Sequence, residues 1–184
     1  MENEYMRSVL HFNIGTEPDC HNSKNIYDKF IDYAFDKADY FMLVFINFYN
    51  KGYSEKQIEF KRNLEPFIVK VRTNPSWPGT PCVRCPNTSY EVAFYRTDEK
   101  AKAVLKKVEC ISDWSRPGMP EDLAFFIGDK CWFYSVGHEK SAAIIYADND
   151  DINFVCSNGL ASRQDVFIPK DTYYEQFDED LLVL

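Results

Sequence analysis

The sequence predicts an α+β fold, with an N-terminal helical hairpin packed on an antiparallel β-meander. Three observations carry that reading. Tyr27, Phe30, Ile31, Ala34, Ala38, Phe41, Phe45 and Phe48 recur at helical spacing through the first third of the chain. From Leu123 onward, short alternating runs are separated by tight-turn residues. No stretch of helical length separates those later runs, so they pair antiparallel. Helices first and sheet afterwards place the chain in the α+β class.

Taken in order, residues 1–22 are irregular, with Leu10, Phe12 and Ile14 alternating as a short strand. Asn22 or Ser23 can cap a helix over 24–49, because a short polar side chain accepts from the orphan N–H groups of the first turn. Beyond Tyr40 that helix is apolar all round and is expected to be buried. Gly52 can take the left-handed conformation that ends it. Ser54 with Gln57 reads as the capping box of a second helix over 54–64, which Pro66 stops. Residues 67–73 are rich in β-branched side chains and read as a strand. Four prolines then mark 74–88 as a loop or edge. A short strand over 90–95 precedes a helix over 98–108, whose late lysines complement its dipole.

Residues 123–127 and 131–136 form a hairpin about Gly128-Asp129, since glycine accepts the positive φ of a tight turn. Residues 137–140 turn again, and 141–146 make the third strand. Asp148 to Asp151 reads as the next turn, 152–156 as a fourth strand and 166–168 as a late one. The chain is expected to be one domain over 1–184: helical over about 23–65, mainly sheet over about 66–168, with an acidic C-terminal segment over 171–184.

The charge balance narrows the function classes. Twenty-one basic residues face 29 acidic ones, giving a net charge of −8 and a pI near 4.9. Nucleic-acid binding rests on Lys and Arg neutralising phosphates, so a direct nucleic-acid partner is not expected. An acidic surface steers a basic protein partner instead. The N-terminus is acidic and the longest apolar run, 40–46, is too short to cross a bilayer, so the expectation is a cytoplasmic chain with no membrane contact. Its six cysteines are then expected to be reduced.

Motifs for chemistry are incomplete. Pro81-Cys82-Val83-Arg84-Cys85 is half of a zinc deaminase signature, but neither His11 nor His21 supplies the other half, H-x-E. A structural zinc site needs four ligands, and only one close pair exists. Asp148-Asn149-Asp150-Asp151 resembles the start of a calcium loop and fails at Ile152. There is no phosphate-cradling glycine loop. No metal, no cofactor and no catalytic residue is therefore assigned. His138 beside Glu139 sits at a sheet corner, where a rigid scaffold presents loop residues. Strand alternation sends either Phe126 and Phe133, or Phe125, Trp132 and Tyr134, to an outer face rimmed by acidic residues. The contact residues expected on these grounds are Asp122, Trp132, His138, Glu139, Asp148 and Asp150.

The segments 39–44 (DYFMLV), 64–72 (LEPFIVKVR), 76–80 (SWPGT), 113–126 (DWSRPGMPEDLAFF) and 132–139 (WFYSVGHE) together resemble a loose group of small bacterial proteins labelled stage III sporulation protein AH-like. That resemblance spans roughly residues 38–146 and implies no catalytic residues. The general profile (small, acidic, aromatic-rich and motif-poor) also resembles the immunity proteins of bacterial toxin systems. This second resemblance implies a protein that binds and neutralises a toxin domain, with its acidity imitating the polyanionic substrate of a basic nuclease. A non-enzymatic binding protein is thus the expected function. The alternatives are a small metal-dependent or His/Glu hydrolase around His138, Glu139 and the cysteines, and a sporulation-related or housekeeping interaction module.

Overall fold

The computed structural model describes residues 6–13, 23–80, 85–115, 118–145, 147–158 and 160–169. Cys82 and the acidic segment 171–184 lie outside the described residues. The chain is α+β, as expected. Its strands are β1 (Met6–Asn13), β2 (Tyr40–Asn47), β3 (Ile68–Thr73), β4 (Ser89–Arg96), β5 (Glu121–Ile127), β6 (Lys130–Val136), β7 (Ser141–Ile145) and β8 (Ala161–Pro169). Its helices are α1 (Ser23–Lys37), α2 (Glu55–Leu64), α3 (Glu99–Leu105) and α4 (Asn149–Ser157). The strands form one sheet in the order β3-β4-β2-β5-β6-β7-β1-β8, antiparallel throughout.

The helical hairpin is corrected. The helix beginning at Ser23 stops at Lys37, and Tyr40–Asn47 is an interior strand of the sheet, between β4 and β5. Phe41, Leu43 and Phe45 face the helices, while Met42, Val44 and Ile46 enter a second core on the other face. A strand buried on both faces loses the polar alternation that marks strands, so its sequence looks like a helix apolar all round. The meander is also only partial: β5, β6 and β7 follow one another, but residues 152–156 lie in α4 instead of a fourth strand. Asp148 caps α4, accepting from Asp151 N at 2.9 Å while Asp151 accepts from Asp148 N at 3.0 Å. That reciprocal box is what makes 149–157 helical.

All four helices contribute to the core on one face, with Phe30, Ala34, Leu64, Leu105 and Val155 among the buried residues. The second core, on the opposite face, includes Trp77, Phe94, Phe126 and Tyr134. The predicted capping box of α2 is present, with Gln57 N donating to Ser54 Oγ at 3.0 Å. Strand β3 forms one edge of the sheet. Its Lys70 and Arg72 are charges of the kind that discourage edge-to-edge pairing.

Two bulges re-aim side chains near the ends of β5 and β6. Phe125 pairs with Phe133 and Phe126 with Cys131, so Trp132 is an extra residue in β6. Trp132 and Phe133 consequently both face the helices, while Cys131 and Tyr134 face the second core. Met42 pairs with Ala124 and Val44 with Glu121, which places a second irregularity at Asp122, whose φ is +55°.

Candidate functional site

The register divides the sheet into two ends, and the six expected contact residues divide between them. Glu121, Asp122 and residues 136–141 lie at one end, with Asn47 and Ser89. Trp132, Asp148 and Asp150 lie at the other, with Asp39 and the β5–β6 turn. Strand β7 separates the two groups by roughly 15 Å, at about 3.3 Å per residue. The six residues therefore do not form one patch.

At the first end the corner after β6 is held from beneath. Trp77-Pro78-Gly79-Thr80 is a tight turn closed by Thr80 N donating to Trp77 O at 2.9 Å, with Gly79 at φ +81°. Proline at the second position and a positive-φ glycine at the third are what such a turn requires. The turn aims Trp77 Nε1 and Thr80 Oγ1 at Asp122 Oδ2, at 2.7 and 3.1 Å. Asp122 Oδ1 accepts from Gly137 N at 3.0 Å, fixing the first residue of the corner. Gly137 packs so closely under the Trp114 carbonyl that only glycine fits. Asp122 is fully buried, and burial pushes its carboxyl up to about 6; hydrogen bonds from Trp77, Gly137 and Thr80 oppose the rise, and the nearby Glu121 adds to it. Asp122 thus fastens the corner internally and is not a surface contact.

His138 and Glu139 emerge from this braced corner, with side chains 44% and 66% exposed. Their closest approach is 3.9 Å, from His138 Nε2 to Glu139 Oε1, too long for a hydrogen bond. The nearby hydroxyl of Ser135 is buried and donates to Leu123 O at 3.0 Å, so it is not turned to His138 as a nucleophile would be. Cys131 lies at the far end of β6, with Sγ 3.3 Å from Phe133 O. What the corner does bring together is one donor atom each from Glu121, Asp122 and His138, all within 4.8 Å of one another. Among the described residues these are the ones placed to hold a metal ion.

At the second end, Asp151 is the fixed point. It is fully buried, and its Oδ1 accepts from Lys37 Nζ at 2.6 Å and Tyr33 OH at 2.7 Å. Its Oδ2 accepts from Trp132 Nε1 at 3.2 Å as well as from Asp148 N. One carboxylate thereby ties α1, β6 and α4 together. Trp132 is only 3% exposed, stacked against Phe30 and covered by Tyr33 and Lys37. The expected outward aromatic face is corrected on both counts, since Phe125, Phe126, Phe133 and Tyr134 are buried too. Burial pushes Asp148 up, but hydrogen bonds from Lys37 and Asp151 N–H together with the Lys37 charge outweigh it and hold the carboxyl below its usual value. For Tyr33, burial and the Asp151 carboxylate both push the phenol well above its usual range.

No family model, curated protein or solved structure matches this chain. Among the described residues, no helix is long and apolar enough to cross a membrane. The geometry also supplies residues that are not among the six expected contacts. Glu121 and Trp77 belong to the corner, and Lys37 and Asp151 to the opposite end. The spacing of Asp148 and Asp151 at cap and third helical position was a readable signal for the last of these. Nothing local in the sequence joins Lys37 to Asp151, 114 residues away.

Proposed function

We propose that this chain is a non-enzymatic binding protein that docks an acidic end surface on a basic partner protein, a bacterial toxin domain that it neutralises. The supporting observation is the placement of acidic side chains at the α4 end of the sheet. Asp36, Asp39, Asp129, Asp148 and Asp150 are all exposed there. They stand on fixed backbone: Gly128 N donates to Asp39 Oδ2 at 2.8 Å, Asp39 N donates to Phe126 O, and Asp151 secures α4. Rigid presentation lowers the ordering cost of association, and a concentrated negative field speeds encounter with a positive surface. On this reading Asp148 and Asp150 belong to the contact surface, while Trp132 supports it from beneath.

Titration calorimetry against the products of the genes adjacent to this chain's own, among which a basic toxin domain is expected, tests the proposal. Binding should weaken as salt rises. The double substitution Asp129→Lys with Asp150→Lys should weaken it by about tenfold or more, some 1.4 kcal/mol, by placing like charges against the partner. His138→Ala, at the other end, should leave affinity unchanged. Absence of binding, or indifference to the double charge reversal, refutes the proposal.

A further inference from the structure

The corner at the opposite end carries a separate inference. Adjacent residues on a regular strand point to opposite faces, so Glu121 and Asp122 should diverge. Here the irregularity at Asp122, with its φ of +55°, turns both carboxylates toward one place. Both are buried, at 1% and 0% exposure. The group that completes the cluster is an imidazole, itself a common metal ligand and partly open to solvent.

We propose that Glu121, Asp122 and His138 hold one divalent first-row transition-metal ion. Carboxylate oxygen and imidazole nitrogen bind such ions at about 2.0–2.2 Å, so three ligands around one ion lie about 3–4 Å from one another. The three donor atoms, within 4.8 Å of one another, reach that spacing with at most about 1–2 Å of movement, which rotation of the partly exposed His138 side chain allows. Asp122 has the outer support that metal ligands require. Trp77 Nε1, Thr80 Oγ1 and Gly137 N fix the orientation of its carboxylate, and Oδ1 accepts only one of these bonds. Two carboxylates and one imidazole form a mixed oxygen–nitrogen set, which suits ions from Mn²⁺ to Zn²⁺. The exposed side of His138 is the route of entry, and water completes the coordination. The ion would tie the start of β5 to the 137–140 corner, so its effect is structural and independent of the acidic end.

Mn²⁺ is the probe, because the free thiols of Cys85, Cys110 and Cys156 compete for softer ions. Electron paramagnetic resonance titration of the untagged full chain should show one bound Mn²⁺ per chain. His138→Ala and, separately, Glu121→Gln should each weaken that binding by about tenfold or more. Mn²⁺ should also raise the Tm of the parent protein and not that of His138→Ala. His138 is partly exposed, so its variant remains informative if the buried Glu121→Gln does not fold. No bound Mn²⁺ at millimolar concentration, or equal binding by His138→Ala, overturns the proposal.

Discussion

Replacing Asp151 by Asn tests whether one carboxylate holds the α4 end together. The amide keeps the size of the side chain and removes its charge. An amide has one acceptor oxygen, so either Lys37 and Tyr33 or Trp132 and the Asp148 N–H then face an N–H group. Each buried donor left without an acceptor costs about 1–3 kcal/mol, and loss of the buried ionic partner of Lys37 falls in the range of about 3–5 kcal/mol. Lys37 retains Asp148 at 2.7 Å, which places the expected loss near the lower bound, about 3 kcal/mol. For a chain of this size that is a Tm decrease of about 6–12 °C. The assay is urea unfolding of the parent, Asp151→Asn, Lys37→Met and the double variant. The cost of Asp151→Asn should be smaller by about 1–2 kcal/mol in the Lys37→Met background, because part of the interaction is already gone. Costs equal within about 0.5 kcal/mol in the two backgrounds would refute the coupling, and a Tm shift below about 2 °C would refute the anchoring role itself.

Packing and burial elsewhere in the chain fix three more outcomes. In Gly137→Ala the added Cβ falls 2.7 Å from the Trp114 carbonyl carbon and closer still to its oxygen, where backbone must yield; thermal unfolding should show a loss of about 3 kcal/mol or more, and a parent-like Tm would contradict the packing. Asp148 has a folded pKa below its unfolded one, so its stabilisation is present above the unfolded value and disappears as pH falls through the folded value. Asp148→Asn keeps a competent helix cap, and its stability gap from the parent should narrow on acidification from about pH 5 to about pH 2.5, measured by denaturant titration; a constant gap contradicts the assignment. Burial and Glu91 push the Tyr53 phenol up to about 12, so a difference titration of Tyr53→Phe against the parent, followed by ultraviolet absorbance, should show its ionisation only near that pH, and ionisation near pH 10 would contradict the environment described.

How far the fold was readable differs element by element. Ser54 with Gln57 announced α2, and Gly128-Asp129 announced the β5–β6 turn, where Ile127 pairs with Lys130. These features are local: a cap or tight turn needs only residues within a few positions. Strand β2 was hidden because its two faces enter two different cores, leaving no polar alternation to read. Helix α4 was hidden in part because its acidic cap looks like a turn until the reciprocal bonds of Asp148 and Asp151 are seen. Of the expected contact residues, His138, Glu139, Asp148 and Asp150 are exposed, while Asp122 and Trp132 are internal. A single extra residue in β6 moved Trp132 from the face of Tyr134 to the helix face, both of them buried, and alternation counted along the sequence cannot register such a bulge.

By itself the sequence determined the class of the fold, the acidity of the surface and most element boundaries that depend on caps and turns. Those properties come from composition and short-range backbone chemistry. The tertiary structure decided which side chains face which way and which distant residues meet. It placed Lys37 against Asp151 and Trp77 against Asp122, and it drew Glu121, Asp122 and His138 together. Those arrangements depend on strand register and on two bulges, where a shift of one residue reverses the direction of a side chain.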